Sequence, residues 1–231
     1  ENMQKTGSFK IRGAYNKIKS LDAAQKASGV VAASAGNHAQ GVAFGASAAG
    51  IKSTVVMPEG APLAKVSATR GYGAEVVLSG KGYDDAFAKA KQIQEETGQT
   101  FIHAFDDKAV IAGQGTIGLE ILQELADVSS IVVPVGGGGL VSGIAVAVKS
   151  LAPHVKVYGV QARGAAAMYN SKLAHRRETT ADASTIADGI AVKVPGDTTF
   201  EIVDKYVDDI VTVDDEAVAA AILMLLERAK L

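Results

Sequence analysis

The residue types that could do chemistry in this 231-residue chain gather at a few short stretches. One is the run Gly136-Gly137-Gly138-Gly139, set between the apolar residues 131–135 and a helix-forming segment that opens at Leu140. Glycines let a backbone approach a ligand closely and adopt positive φ. The start of a helix adds unpaired N–H groups and the positive end of its dipole. A phosphate suits that combination, and a bare strand-to-helix turn needs fewer glycines. The loop is no P-loop, because no Gly-Lys-Ser/Thr follows. A dinucleotide fits poorly: counted from Gly137, Ser142 takes the last glycine position, and the next strand ends at Gln161 where a ribose would want Asp or Glu.

A compact phosphate without a ribose fits better. Pyridoxal phosphate is such a ligand, and it needs a lysine. Lys10 lies in Thr6-Gly7-Ser8-Phe9-Lys10-Ile11-Arg12-Gly13-Ala14, in the first turn of an expected helix. Taken alone, a lysine there reads as a solvated surface residue at the helix end that disfavours cations. Residues 34–41, Ser-Ala-Gly-Asn-His-Ala-Gln-Gly, follow a strand and open a helix, where α/β sheets bind ligands. The same residues read equally well as an ordinary helix start with Asn37 as its N-cap.

The elements that must position these residues alternate. Apolar spacing predicts helices over about 8–21, from Asn37 to near Gly50, and over 63–72, 83–96, 117–125, 140–150 and 214–231, the last amphipathic. Strands are predicted at 30–34, 54–57, 75–78, 101–104, 131–135, 155–160 and 210–213. The run at 131–135 reads as a parallel strand covered on both faces. Residues 162–200 read as loops with short helices. This alternation predicts an α/β fold of two doubly wound parallel-sheet domains. The small one spans 30–106; the large one comprises 1–29 and 107–231.

Composition excludes other classes. The chain has no Cys, hence no disulfide, thiolate metal site or Cys nucleophile. His38, His103, His154 and His175 lack ligand spacing, so no His-based zinc site is expected. A net charge of −2 without a long basic run, and 5% aromatics, argue against nucleic acid. Residues 131–148 are uncharged and of membrane-spanning length, but Pro134 and four glycines would cost a helix roughly 1 kcal/mol per glycine. No membrane span is expected, and the expected compartment is the cytoplasm. The chain begins at Glu1 and ends in a running helix, as expected of an internal piece of a longer polypeptide.

Four motifs occur together in order: Gln4-Lys5-Thr6-Gly7-Ser8-Phe9-Lys10-Ile11-Arg12-Gly13-Ala14, residues 34–41, Ala112-Gly113-Gln114-Gly115-Thr116, and Gly136-Gly137-Gly138-Gly139-Leu140. With them the chain resembles the threonine dehydratase and serine racemase group of fold-type II pyridoxal-phosphate enzymes (tryptophan synthase β-like), and most of all the short catabolic threonine dehydratases. The resemblance runs over essentially the whole chain. It implies the cofactor in the cleft between the two domains, attached to Lys10, with Phe9 against its pyridine ring and Asn37 on its 3′-oxygen. Gly136, Gly137, Gly138, Gly139 and Leu140 would hold the phosphate. Ser34, Asn37 and His38 would bind the substrate carboxylate. Lys5, Thr6, Gln40 and Tyr72 match positions that contact a nucleotide effector in some relatives. A homodimer or homotetramer is implied.

The implied reaction is β-elimination: Lys10 removes the α-proton, the β-hydroxyl leaves with a proton from the cofactor phosphate, and the released enamine tautomerises to an imine that water hydrolyses to a 2-oxo acid and ammonia. Threonine would yield 2-oxobutyrate and serine pyruvate. Racemase relatives carry a serine immediately before the Gly-Asn pair, and this chain has Ala35. Acidic residues that bind a cation in racemases are replaced around Gln161, so no metal is expected. The alternatives are a serine racemase, another elimination or replacement enzyme of the same fold, such as a cysteine or threonine synthase, and a non-catalytic anion-binding domain. The resemblance further implies an N-terminal segment and a C-terminal Ser or Cys that these residues do not contain.

Overall fold

In the computed structural model, which describes residues 1–230, the chain divides into two units, Glu1–Gln114 and Gly115–Leu231. Residues 1–29 and 107–114, grouped above with the large domain, pack within the first unit. That unit runs α1 (Lys10–Lys19), α2 (Ala23–Ser28), β1 (Val30–Ala33), α3 (Asn37–Ala48), β2 (Ser53–Met57), α4 (Leu63–Gly71), β3 (Glu75–Leu78), α5 (Tyr83–Thr97) and β4 (Thr100–Phe101). Its sheet is wholly parallel, in the order β3-β2-β1-β4.

Alternation along β1 explains why this sheet is covered on both sides. Val30 and Ala32 pack with Ala14, Ile18, Val42 and Ala46 of α1 and α3. Val31 and Ala33 pack with Ala86 and Ala90 of α5. Glycines let α3 lie close on α1: a Cβ at Gly41 would stand 3.1 Å from the Lys10 carbonyl carbon, and one at Gly45 3.2 Å from Ile18 Cδ1. The strand expected at 101–104 is instead the two-residue β4. Ile102 N–H still reaches the Val31 carbonyl, and then the chain leaves the ladder because its next carbonyls serve side chains.

Helix α6 (Lys108–Glu124) starts nine residues before the expected 117, so the Ala112–Thr116 motif is helix interior. Glycine normally weakens a helix; here it permits close crossings. A Cβ at Gly113 would stand 2.6 Å from the Arg12 carbonyl oxygen, within the first unit. A Cβ at Gly115 would stand 2.8 Å from the Gly143 carbonyl oxygen, within the second.

The second unit continues with β5 (Ser130–Pro134), α7 (Gly139–Leu151), β6 (Lys156–Ala162), α8 (Ala167–Ala174), α9 (Asp197–Tyr206), β7 (Asp209–Val213) and α10 (Asp215–Ala229). Its parallel sheet has the order β5-β6-β7. Ile131, Val133, Val157 and Ile210 pack with Val141, Ile144, Val148 and Val203. The expectation that residues 131–135 are covered on both faces fails: burial alternates along β5, and Val132 is 64% exposed. Among the described residues no helix covers that side of the strand. Helix α9 emerges where loops and short helices were expected up to residue 200. Helix α10 is capped by Asp214, whose side chain accepts from Ala217 N–H, but none of its residues is buried, so no amphipathic face is docked. The final residue of the predicted helix, Leu231, lies outside the described residues.

Candidate active site

Lys10 opens α1 directly after Phe9, with its Nζ 5.4 Å from the centre of the Phe9 ring. It is not the solvated surface lysine that its position alone suggests. Its Nζ donates to the Ala104 carbonyl at 2.8 Å, and burial pushes its pKa down to about 8. Among the described residues no carboxylate pairs with it. The segment that supplies Ala104 is folded by His103, a residue absent from the sequence-based candidates. His103 Nδ1 accepts from Phe105 N–H at 3.2 Å and Asp106 N–H at 2.8 Å, so the ring is neutral at that nitrogen. Burial lowers its pKa, and the nearby Lys10 charge acts in the same direction.

The loop 34–36 brings the chain from β1 into α3. Asn37 is not the N-cap: it is the first helical residue, with its side chain exposed, and Gly36 occupies the cap position with no side-chain cap bond. Cap position needs non-helical φ/ψ, which Gly36 supplies at φ −160° and ψ −117°. The uncapped first turn of α3 leaves the N–H groups of Asn37, His38 and Ala39 available to an anion. Ser34 is buried, and its hydroxyl accepts from Gly36 N–H at 3.2 Å.

His38 is 2% exposed, with Nε2 2.9 Å from the Ile102 carbonyl. Burial foremost, and then the Lys10 charge, hold its pKa down at about 3. A neutral ring that donates from Nε2 leaves Nδ1 as an acceptor, and Nδ1 has no partner. The His38 side chain therefore cannot donate to a carboxylate; its backbone N–H can. Thr6 Oγ1 and Ser8 Oγ are likewise buried without a partner.

In the second unit, β5 leads through Gly136 and Gly137 to Gly138, the N-cap of α7, at φ +96°. A side chain there would be strained by conformation, and a Cβ would meet Met168 Cε at 2.6 Å. Again no side chain caps the helix, so the N–H groups of Gly139, Leu140 and Val141 have no acceptor within it. The loop carbonyls are held from behind: Thr199 Oγ1 donates to Gly137 O at 2.6 Å, and Gln161 Nε2 lies 3.5 Å from Gly136 O. Thr199 was not among the sequence candidates. Its partner lies 62 residues away, so no local signal marked it. Among the described residues no three His, Cys, Asp or Glu side chains gather as a metal cage.

Of the four effector candidates the structure brings two together. Tyr72 Oη donates to the Lys5 carbonyl at 2.9 Å, and both line a cavity of about 340 Å³ with Phe44, Ser47 and Gly73. Thr6 and Gln40 do not line it. No helix among the described residues is long and apolar enough to cross a membrane; residues 131–148 fold as strand, loop and helix.

Known proteins are similar to this chain along its length. An L-threonine ammonia-lyase of Thermotoga maritima is 59% identical over 230 residues, covering 100% of this chain and 57% of that protein. The catabolic L-threonine dehydratase TdcB of Escherichia coli K12 is 52% identical over 233 residues, covering 100% of this chain and 70% of that protein. The structure of maize serine racemase superposes with a TM-score of 0.97 at 40% identity, covering 100% of this chain and 70% of that one. The chain thus spans little more than half of the Thermotoga protein's length. The family described as pyridoxal-phosphate dependent enzyme matches residues 1–231. With a half-buried lysine of low basicity, two uncapped helix starts and a match along its whole length, the chain belongs to the pyridoxal-phosphate dependent enzyme family.

Proposed function

We propose that the protein containing this chain is a threonine ammonia-lyase, which eliminates water from L-threonine to release an enamine that tautomerises to the imine and is hydrolysed by water to 2-oxobutyrate and ammonia, and acts in the same way on L-serine to give pyruvate and ammonia. The observation that carries this reading is Lys10, a half-buried amine that has no carboxylate partner among the described residues and whose pKa is depressed to about 8. The residues present fit pyridoxal phosphate. Lys10 would attach it, Phe9 and Asn37 would flank the ring, and the N–H groups of Gly136, Gly137, Gly138, Gly139 and Leu140 would hold its phosphate. The unpartnered buried atoms Thr6 Oγ1, Ser8 Oγ and His38 Nδ1 are the kind a polar ligand satisfies.

When bound, the cofactor supplies an electron sink for the charge left at the substrate α-carbon. The protein's own part is orientation and proton transfer. The uncapped start of α3, with Asn37 and His38 N–H and the Ser34 hydroxyl, suits the substrate carboxylate. Lys10, neutral in a large fraction near its lowered pKa, takes the α-proton at Nζ. Ala35 has no proton to return from the opposite side, which favours elimination over racemisation.

The same reading places a small domain at 30–106 and a large one at 1–29 and 107–231, since β1 to β4 keep to the former block and β5 to β7 to the latter. It includes a homodimer or homotetramer in the cytoplasm. A nucleotide effector at the Lys5 and Tyr72 cavity is supported by a cation for phosphate and by the edge-to-face Phe44–Tyr72 pair beside it.

The test is the visible spectrum of the full-length protein, with and without borohydride, beside Lys10→Ala. A yellow band that borohydride fixes covalently, absent in the variant, and 2-oxobutyrate formed from threonine are expected. A protein that stays colourless with added pyridoxal phosphate would sink the reading and leave an anion-binding domain.

A further inference from the structure

Four consecutive glycines have no side chains with which to hold their own peptide planes. We propose that Thr199, assisted by Gln161, is the positioning residue of the Gly136–Gly139 cradle: it grips the loop from behind and turns the amide N–H groups toward the ligand's phosphate. The assignment rests on the cofactor reading above.

The argument begins with peptide geometry. In a trans peptide the C=O and the following N–H point in opposite directions across a rigid plane. Thr199 Oγ1 donates to Gly137 O at 2.6 Å, so the N–H of Gly138 must point away from Thr199. Gln161 Nε2 lies 3.5 Å from Gly136 O, a longer contact that biases the Gly137 N–H in the same manner. Both grips come from fully buried side chains, each at 0% exposure, which water cannot replace.

Each grip is itself fixed. Thr199 stands in the first turn of α9, where its β-branch restricts χ1. Its carbonyl accepts from Ser142 Oγ at 3.3 Å, which ties this turn to α7. Gly196 O lies 3.3 Å from the same hydroxyl, but a hydroxyl has one proton and the 2.6 Å partner is the stronger acceptor. Gln161 Oε1 accepts from Tyr169 N–H at 2.8 Å, which assigns the amide so that Nε2 faces the loop. Contact adds to the bond: a Cβ at Gly138 would stand 2.9 Å from Thr199 Cβ, so Thr199 also forms the wall on which the glycine rests.

Neither side chain is assigned a contact with the ligand, so the effect must pass through the phosphate alone. The experiment compares the full-length protein with Thr199→Val, which keeps the shape and removes the donor, and with Thr199→Ser, which keeps the donor. Binding of pyridoxal phosphate and of pyridoxal, its phosphate-free analogue, is titrated to each apo protein by absorbance, and the 31P shift of the bound phosphate is recorded. Thr199→Val is expected to bind pyridoxal phosphate about tenfold more weakly, as for one hydrogen bond, with an altered 31P shift. Its pyridoxal affinity should stay within about twofold, and Thr199→Ser should recover most of the loss. Unchanged pyridoxal phosphate binding in Thr199→Val, or equal loss of both ligands, would overturn the positioning role while leaving the cofactor reading intact. Wild-type protein that binds neither ligand would overturn both.

Discussion

Lys10 begins a helix, where the dipole disfavours its charge, and burial adds to that penalty. Its hydrogen bond goes to the neutral Ala104 carbonyl, and among the described residues no carboxylate offsets the cost of burying the charge. The amine attacks only when neutral. The rate of covalent attachment of pyridoxal phosphate to the apo protein should therefore rise with pH through about 8 and then level. Borohydride-fixed absorbance reads it, and a rise continuing to pH 10 would place the amine in water. Stability follows with a definite sign. The folded pKa lies below the unfolded one, so between about 8 and 10.5 the unfolded chain holds more protons and stability climbs with pH. Lys10→Met should stabilise the apo protein at pH 7 by roughly 1–3 kcal/mol, and the gain should shrink by pH 10. Urea unfolding at the two pH values measures this.

At the scale of elements, the glycines inside α3 and α6 act through contact. Gly41 lets α3 reach the backbone of α1 at Lys10, and Gly113 does the same between α6 and the Arg12–Gly13 backbone. Gln114 then supplies order rather than chemistry: it is 1% exposed, and its Oε1 accepts from Gly13 N–H at 3.1 Å. Gly113→Ala is expected to destabilise by about 1–3 kcal/mol, because backbone cannot yield as a side chain can. Gly60→Ala, with nothing within 4 Å of the added methyl, should be neutral or gain up to about 1 kcal/mol. Denaturant midpoints of the two variants decide it, and equal effects would refute the crossing argument.

For the whole molecule, acid is the exposing condition. His38 binds its proton at about 3 when folded and near the ordinary 6.5 when unfolded. The unfolded chain therefore takes up the proton first, and stability falls as pH drops from 6.5 toward 3. Asp208 works in a lower window. Salt bridges to Lys149 at 2.6 Å and Lys156 at 2.8 Å hold its pKa below the usual carboxylate value, so its contribution is lost only under strongly acid conditions. Wild type should lose about 2 kcal/mol between pH 7 and 5 from His38 alone. His38→Gln should flatten that slope in urea titrations, and an unchanged slope would show that the ring is already solvated in the folded protein.

The residues by themselves determined the alternation of parallel strands and helices, the bounds of elements such as Glu75–Leu78, and the glycine loop before α7, because each is written in neighbouring residues. Lys10 and residues 34–41 were legible only as motifs; read physically, Lys10 looked like a surface lysine and Asn37 like a cap. Only tertiary structure decided otherwise. The Ala104 carbonyl that receives Lys10 is 94 residues away in sequence, and the Thr199 hydroxyl that grips Gly137 is 62 away. The interior glycines of α6 hid its first nine residues, since helix propensity counts their entropy and not the helices they admit. Burial, tautomer and peptide orientation arise from contacts distant along the chain, and local pattern carries no record of them.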